Sequence, residues 1–417
     1  MKTLRISLII SIFIISILGS CSSQDVTEKK IPSQSFKPTL ILVSFDGCRY
    51  DYPSLAQTPA LDQIEAEGVK AKGLKTSFPS KTFPNHLSIV TGLYPENHGI
   101  IANRIYDNIA DEFYTLGSNA VTESKWYQGE PIWVTAEKQG LKTATFFWPG
   151  SEAKINGFRP TYYKAYEHTF PYQKRVEQVL DWLDLPDDKR PQFLTLYFDE
   201  PDSSGHRYGP ASSEAIAALE NVDKQLLNLI QGIKSRNLEN KVNLMVVSDH
   251  GMTSLSRDKV IFLDDYIDMD NVKIVDYSAV VAIRPREGEI ENVYQQLKGA
   301  HPNMQIYRKG EVPEKFHYNN HKFIQPIIGV LDLGWSATTH SYFDSHKNFP
   351  SKGAHGFDPD YQEMNAIFYA KGPAFKKRAQ LPILQNINLY ELMCSILKIT
   401  PASNNGSIEV FKGVLKD

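Results

Sequence analysis

Three short apolar runs set the frame of this chain: residues 40–45, 193–198 and 242–248. Each is apolar at nearly every position rather than at alternate ones, which predicts strands buried on both faces. The segments between them carry apolar residues at three- and four-residue spacing, the period of a helix with one buried face. Thr58-Pro59 opens one such helix, which runs through Leu61 and Ile64 to Gly68. Thr and Pro suit a helix start, and Gly suits its end. A second helix begins near Thr82 and carries Leu87 and Val90 toward Gly92. A third covers residues 131–139 and closes at Gly140. Later helices are read over 172–183 and 213–236, the second with a core-facing stripe of Ile216, Leu219, Val222, Leu226, Leu227 and Ile230. Residues 365–369 read as a further strand and 388–397 as a further helix.

Strand and helix signals that alternate predict a mostly parallel sheet with helices on both faces. From 262 to 346 the rhythm changes to short strands, at 280–283 and 327–331, around one helix at 290–297. The expected architecture is therefore α/β: a core of residues 38–261 and 347–417, with 262–346 as a smaller inserted α+β subdomain. No internal repeat and no low-complexity stretch interrupts it.

The first residues read differently. Lys2 and Arg5 precede an apolar stretch at 6–18 that is too short to span a bilayer comfortably. Leu18-Gly19-Ser20-Cys21 follows and reads as a bacterial lipobox, with residues 1–20 as signal peptide, Cys21 as the lipidated first mature residue and 21–37 as a polar tether. The expectation is an exported protein, held at the bacterial envelope through the lipid on Cys21. The net charge is −3, and −5 without the first twenty residues, whose only charges are Lys2 and Arg5. With no basic stripe, duplex nucleic acid is excluded as a partner. Cys48 and Cys394, both in apolar surroundings, are expected as two separate buried thiols.

The candidate chemistry lies at the strand ends. Asp46 follows the first run, Asp202 and His206 the second, and Asp249-His250 the third. In open α/β sheets, sites gather outside the carboxyl ends of the strands. Asp202 and His206 are four residues apart and share a face if that turn is helical. Gly251 lets the chain turn after His250, and His355 sits between the small residues Ala354 and Gly356. A mixed Asp/His set suits zinc, and two metals about 4 Å apart can hold the attacking and leaving oxygens of an in-line displacement.

A wider set of segments carries a resemblance. They include Phe45-Asp46-Gly47, Phe78-Pro79-Ser80-Lys81-Thr82-Phe83-Pro84-Asn85-His86, Thr91-Gly92-Leu93-Tyr94-Pro95 and Glu200-Pro201-Asp202-Ser203-Ser204-Gly205-His206. Ser248-Asp249-His250-Gly251-Met252 and Gly353-Ala354-His355-Gly356 complete them. In this order they resemble the nucleotide pyrophosphatase/phosphodiesterase family of the alkaline phosphatase superfamily, over residues 39 to 412. The resemblance implies an alkaline phosphatase-like fold and two Zn²⁺ ions per chain. Asp46, Thr82, Asp249 and His250 would hold one, and Asp202, His206 and His355 the other. It implies Thr82 as nucleophile, with the helix N-terminus after it helping to hold phosphoryl oxygens, and Asn103 as donor to a non-bridging oxygen. Phe83 and Tyr166 match positions that sandwich a nucleobase; Leu116, Trp148, Glu152 and Tyr197 match other positions of that pocket.

The implied activity is hydrolysis of nucleotide pyrophosphates or other small phosphodiesters to nucleoside 5′-monophosphates, by a monomer. The alternatives on the same metal site are a phosphomonoesterase and a lipid-headgroup phosphodiesterase. A binding protein that has lost catalysis is a further one. A sulfatase is excluded, because no Cys/Ser-x-Pro-x-Arg sequence is present. His86 and His98 read as structural hydrogen-bond partners, and Arg49 as a member of a structural ion pair. His317, His321, His340 and His346 read as surface or packing residues.

Overall fold

The three apolar runs lie side by side at the centre of an eight-stranded sheet in a computed structural model that describes residues 37–416. From edge to edge its strands are Ala379–Gln385, Val69–Lys75, Phe368–Lys371, Val242–Val247, Thr39–Phe45, Phe193–Phe198, Thr143–Phe146 and Tyr162–Lys164. Every pairing is parallel except the two made by Phe368–Lys371. The central strand is buried along its whole length, and its period of two divides it between two cores. Leu40 and Leu42 pack with Leu87, Val90, Ile132 and Leu389 on one face. Ile41, Val43 and Phe45 pack with Leu61, Ile64, Val179 and Leu219 on the other. Both faces are therefore covered by helices, as a run without polar alternation requires.

The helices sit close to their expected places: Pro59–Glu67, Thr82–Thr91, Ile132–Lys138, Tyr172–Leu183, Ser213–Ser235 and Leu389–Leu397. The late strand falls at Phe368–Lys371, three residues after its expected start. A second, four-stranded antiparallel sheet runs Val272–Tyr277, Val280–Pro285, Ile327–Leu331 and Met304–Arg308, with the helix Ile290–Leu297 packed on it. A third apolar core joins this sheet to Ile261, Phe357 and Met364.

The first helix is capped differently from expectation. The Thr58 side chain makes no capping bond. Asp223, on the long helix Ser213–Ser235, instead accepts from the backbone N–H groups of Ala60 and Leu61 at 2.9 and 3.0 Å. A carboxylate at a helix N-terminus satisfies donors that have no partner within the helix and meets the positive end of the dipole. Local sequence could not reveal this, because the cap arrives from 163 residues away. Cys48 and Cys394 are both buried and unbridged. Cys21 and the expected signal peptide lie outside the described residues. Among the described residues no helix is long and apolar enough to cross a membrane.

Replacing Asp223 by Ala is expected to destabilise the fold by about 1–2 kcal/mol, as lost caps do. Thr58→Ala is expected to cost less than half of that. Urea unfolding of the two variants measures the difference.

Candidate metal centre and active site

Strand register brings the first two acidic residues together. Ser44 pairs with Val247 across the central ladder, so Asp46 and Asp249 leave adjacent strands at the same level. Asp249 Oδ1 then accepts from Gly47 N–H at 3.1 Å. Phe45 pairs with Phe198 on the other side, and Asp202 N–H donates to the Asp46 carbonyl at 3.0 Å. Gly47 has φ +66°, and a Cβ there would lie 2.7 Å from Asp202 Cβ. Only glycine allows both that backbone and that approach. Gly251 has another use than a tight turn: a Cβ there would lie 2.0 Å from the Glu363 carbonyl oxygen.

Asp202 opens the helix Asp202–Tyr208, which places His206 on the same face, Nε2 to Oδ1 at 3.5 Å. His355 follows the short strand Gly353–Ala354, which pairs with Thr253–Ser254 just beyond His250. Its Nε2 is 3.8 Å from Asp202 Oδ1, and its ring stacks on that of His250 at 3.5 Å. Thr82 begins its helix with Oγ1 3.2 Å from His250 Nε2. All seven of the expected metal-site positions therefore converge.

The three imidazoles His206, His250 and His355 are oriented alike. Each Nδ1 meets a backbone carbonyl, of Gly353, Gly251 and Ser80 respectively, at 2.8, 2.9 and 2.8 Å. A carbonyl can only accept, so Nδ1 carries a proton and Nε2 is the nitrogen turned toward the cluster. Asp46 Oδ1, Asp202 Oδ1 and Asp249 Oδ2 are buried without a hydrogen-bond partner. Potential ligand atoms fall within 4.8 Å of one another in the set Asp202, His206 and His355, and again in the set Asp46, Asp202 and His250. Burial, reinforced by Asp249 and Asp202, pushes the Asp46 carboxyl well above its usual range. Burial raises Asp202 as well, against the pull of His206 and His250. At Asp249 burial acts in the same sense but is outweighed by His250 and His86, which hold it well below. Orphaned carboxylate oxygens facing imidazole nitrogens are a donor set made for divalent cations.

His86 also lies against Asp46 and Asp249, yet both of its nitrogens are engaged. Nδ1 is 2.9 Å from the Thr82 carbonyl and Nε2 is 2.8 Å from Ser44 Oγ. It braces the start of the Thr82 helix. His98 is likewise buried among Ser88, the Pro84 carbonyl and the Ile100 N–H. Arg49 pairs with Asp51. His317, His340 and His346 stack on Tyr94, Phe262 and Tyr342, and His321 is buried against Phe323.

Two cavities open on the cluster. One, of about 440 Å³, is lined by Thr82, Phe83, Leu116, Trp148, Glu152, Tyr166 and Tyr197. Every residue matched to the nucleobase pocket is in it. The other, of about 880 Å³, is lined by Asn103, Lys81, His206 and His355 among others, and shares Leu116. Asn103 Oδ1 accepts from Phe83 N–H at 3.0 Å, which turns its amide nitrogen outward as a donor. The helix N-terminus offers less than expected. Phe83 N–H is spent on Asn103 and Pro84 has none, which leaves Thr82 N–H among the first three positions.

The sequence model for type I phosphodiesterase / nucleotide pyrophosphatase matches residues 40–358. The chain belongs to this family. It is 40% identical over 406 residues to human ectonucleotide pyrophosphatase/phosphodiesterase family member 1, covering 94% of this chain and 44% of that protein. It is 38% identical over 409 residues to the Xenopus laevis bis(5′-adenosyl)-triphosphatase, covering 97% and 87%. This chain thus spans about half the length of the human relative. Among solved structures, murine ectonucleotide pyrophosphatase/phosphodiesterase 5 superposes with a TM-score of 0.87 at 37% identity, covering 91% of this chain and all of that one. That structure is an inactive threonine-to-alanine variant in complex with AMP. The fold is accordingly alkaline phosphatase-like.

In this phosphodiesterase-family chain, two residues support the site in ways the sequence reading did not assign. Phe147 holds a positive φ of 60°, which is costly for a bulky residue, and lines the smaller cavity. The fully buried Arg175 lies 5.0 Å from its ring centroid and donates to the Tyr197 carbonyl at 2.9 Å. Glu152 accepts from Tyr166 N–H at 3.0 Å, so it fixes the loop that carries that ring. Tyr197 does more than line the cavity, since its hydroxyl donates to Asp46 Oδ2 at 2.6 Å. A donor behind a candidate ligand carboxylate fixes its orientation. Tyr197→Phe is expected to weaken divalent-cation binding about tenfold, by analogy with other outer ligand partners. Competition against a chelator measures it.

Proposed function

We propose that this chain hydrolyses nucleotide pyrophosphates and phosphodiesters to nucleoside 5′-monophosphates, by way of a covalent threonyl intermediate at a two-zinc site. The observation that carries the reading is the place of Thr82. Its hydroxyl adjoins the Asp/His cluster and also lines the aromatic cavity. Asp46, Thr82, Asp249 and His250 would hold one ion, and Asp202, His206 and His355 the other. Such a pair supplies a lowered pKa for the Thr82 hydroxyl and neutralising charge for the attacking and departing oxygens.

The protein's own groups then divide the work. Phe83 and Tyr166 hold the base of a nucleotide in the smaller cavity, where stacking is worth about 1–3 kcal/mol and tolerates different bases. This places the 5′-phosphorus over Thr82. The AMP held by the murine relative supports a nucleotide there. Thr82 Oγ gives up its proton to solvent and attacks, forming one P–O bond as the bond to the leaving group breaks and its electron pair goes to the departing oxygen. The Asn103 amide donates to a non-bridging oxygen as charge builds on it. Water then attacks from the opposite side, the Oγ–P bond breaks, and Thr82 recovers its proton. The inactivity of a relative that lacks one threonine supports the covalent route.

Charge favours a diester over a monoester. A phosphomonoester brings an extra negative charge that needs added cations. Lys81, beside Thr82, is buried in an ion pair with Asp276. Arg49 is paired with Asp51 and Arg175 with Asp199. We also assign the chain to the cell exterior, held as a monomer by a lipid on Cys21; the names of the ectonucleotide relatives support export.

Hydrolysis of a nitrophenyl nucleotide diester tests the activity. Chelation is expected to abolish it. Thr82→Ala is expected to lower turnover about a thousandfold or more, with AMP still bound. Turnover preserved in that variant would refute the covalent route. For the location, Cys21→Ser is expected to move the protein from the membrane fraction to the soluble fraction of the producing cell.

A further inference from the structure

The end of the molecule opposite the Asp/His cluster carries a charge pattern that the proposed reaction does not use. Every parallel strand of the large sheet starts there, and the central one starts at Thr39, two residues after the exposed Lys37. Asp46 leaves the other end of that seven-residue strand, so the cluster stands about 20 Å above this face. Thr39 pairs with Val242, which brings Lys241 level with Lys37. Ala374 N–H donates to the Asn243 side chain at 2.9 Å. Lys376 N–H donates to the Val414 carbonyl and Lys416 N–H to the Ala374 carbonyl. These contacts gather Lys37, Lys241, Lys376, Lys377, Arg378 and Lys416 on one face, all of them exposed. Only three are neighbours in the sequence, which is why no stripe shows there. Lys376, Lys377 and Arg378 form no ion pair among the described residues. Of the acids on the same face, Glu67 is engaged by Lys371 and Glu409 by Lys412; Glu239 stands two residues before Lys241. Arg378 holds a φ of +54°. The backbone there favours glycine, so the guanidinium rather than the turn accounts for the arginine.

We infer that this face is a docking surface for a bilayer bearing anionic lipid headgroups. Each Lys or Arg held near an anionic leaflet strengthens binding about fivefold. Two observations favour a lipid surface over a nucleic acid. The cations are mostly lysines, compact charges suited to a diffuse surface field, and not the guanidinium forks that grip individual phosphates. Cys21 precedes Lys37 by sixteen residues, so a lipid on it would keep this face within about 55 Å of a bilayer even at full extension of that segment. Docked this way, the molecule turns the Asp/His cluster away from the membrane. Such docking does not depend on the proposed reaction.

The test uses the full chain with Cys21→Ser, so that no attached lipid contributes, and vesicles of phosphatidylcholine alone or mixed with phosphatidylglycerol. Residues 1–20 are common to every chain compared. Partition onto the mixed vesicles is expected to exceed that onto the neutral ones, and to lose the excess in molar salt. Lys376→Gln/Lys377→Gln/Arg378→Gly, in which glycine suits the turn, is expected to lower the ratio of mixed to neutral partition about a hundredfold. Lys154→Gln/Lys298→Gln/Lys322→Gln removes the same charge from other exposed positions and is expected to leave the ratio unchanged. Melting temperatures check that each chain folds. An unchanged ratio in the first variant, or an equal loss in both, overturns the docking surface. Tighter binding to a duplex DNA oligonucleotide than to the mixed vesicles, lost in the first variant, overturns lipid as its occupant. The proposed reaction stands in either case, because hydrolysis of a nitrophenyl diester in solution reads it separately.

Discussion

Three carboxylates delivered to one buried point constrain this molecule more than any other feature. Asp46, Asp202 and Asp249 each keep an oxygen that no hydrogen bond satisfies. Desolvated charges of like sign in such proximity are costly unless something of opposite sign enters. The surrounding structure prepares for that rather than avoiding it. Parallel register sets Asp46 and Asp249 level, Gly47 removes the Cβ that would keep Asp202 away, and three carbonyls fix three imidazoles with Nε2 inward. A protein selected only for stability would have filled the space with apolar side chains. The unsatisfied carboxylate oxygens are the reason to read the site as built for cations.

What was legible in the sequence follows from range. Period and end signals placed the helices within a residue or two, because both act within a few positions. The central strands were legible because burial on both faces leaves no polar alternation. The cluster residues were legible because each stands at the end of such a run, and the family motifs linked them. What failed to show was what comes from afar. Asp223 caps a helix far away in the chain, and Arg175 supports Phe147 from another element. Gly251 was read as a turn, but its need comes from the Glu363 carbonyl. Tyr197 could be placed in the pocket by its motif, while its bond to Asp46 depends on how two neighbouring strands are stacked in register.

The two sheets are tied together at the most sensitive point. Lys81 immediately precedes Thr82, at the N-cap of the helix that carries it. Its partner Asp276 lies on the strand Val272–Tyr277 of the second sheet. The same strand ends at Tyr277, in the wall of the larger cavity. A shift of the second sheet would therefore move both the start of the Thr82 helix and the wall of the larger cavity. Nearly buried ion pairs tolerate little displacement, because a charge left without its partner pays its full desolvation cost.

That pairing also bears on which phosphates the site can process. A lysine beside the proposed nucleophile would, if free, neutralise the second charge of a monoester. Bound to Asp276 it contributes almost no net field. In the proposed reaction, the positive charge at the reacting phosphorus would then come from cations in the Asp/His cluster and from the Asn103 amide. Those suffice for the single charge of a diester but leave the extra oxygen of a monoester without a counterpart. Arg104 and Lys347 line the larger cavity rather than the aromatic one that Thr82 lines. Under the proposed function, the neutralised Lys81 is thus one reason to expect a diester rather than a monoester as substrate.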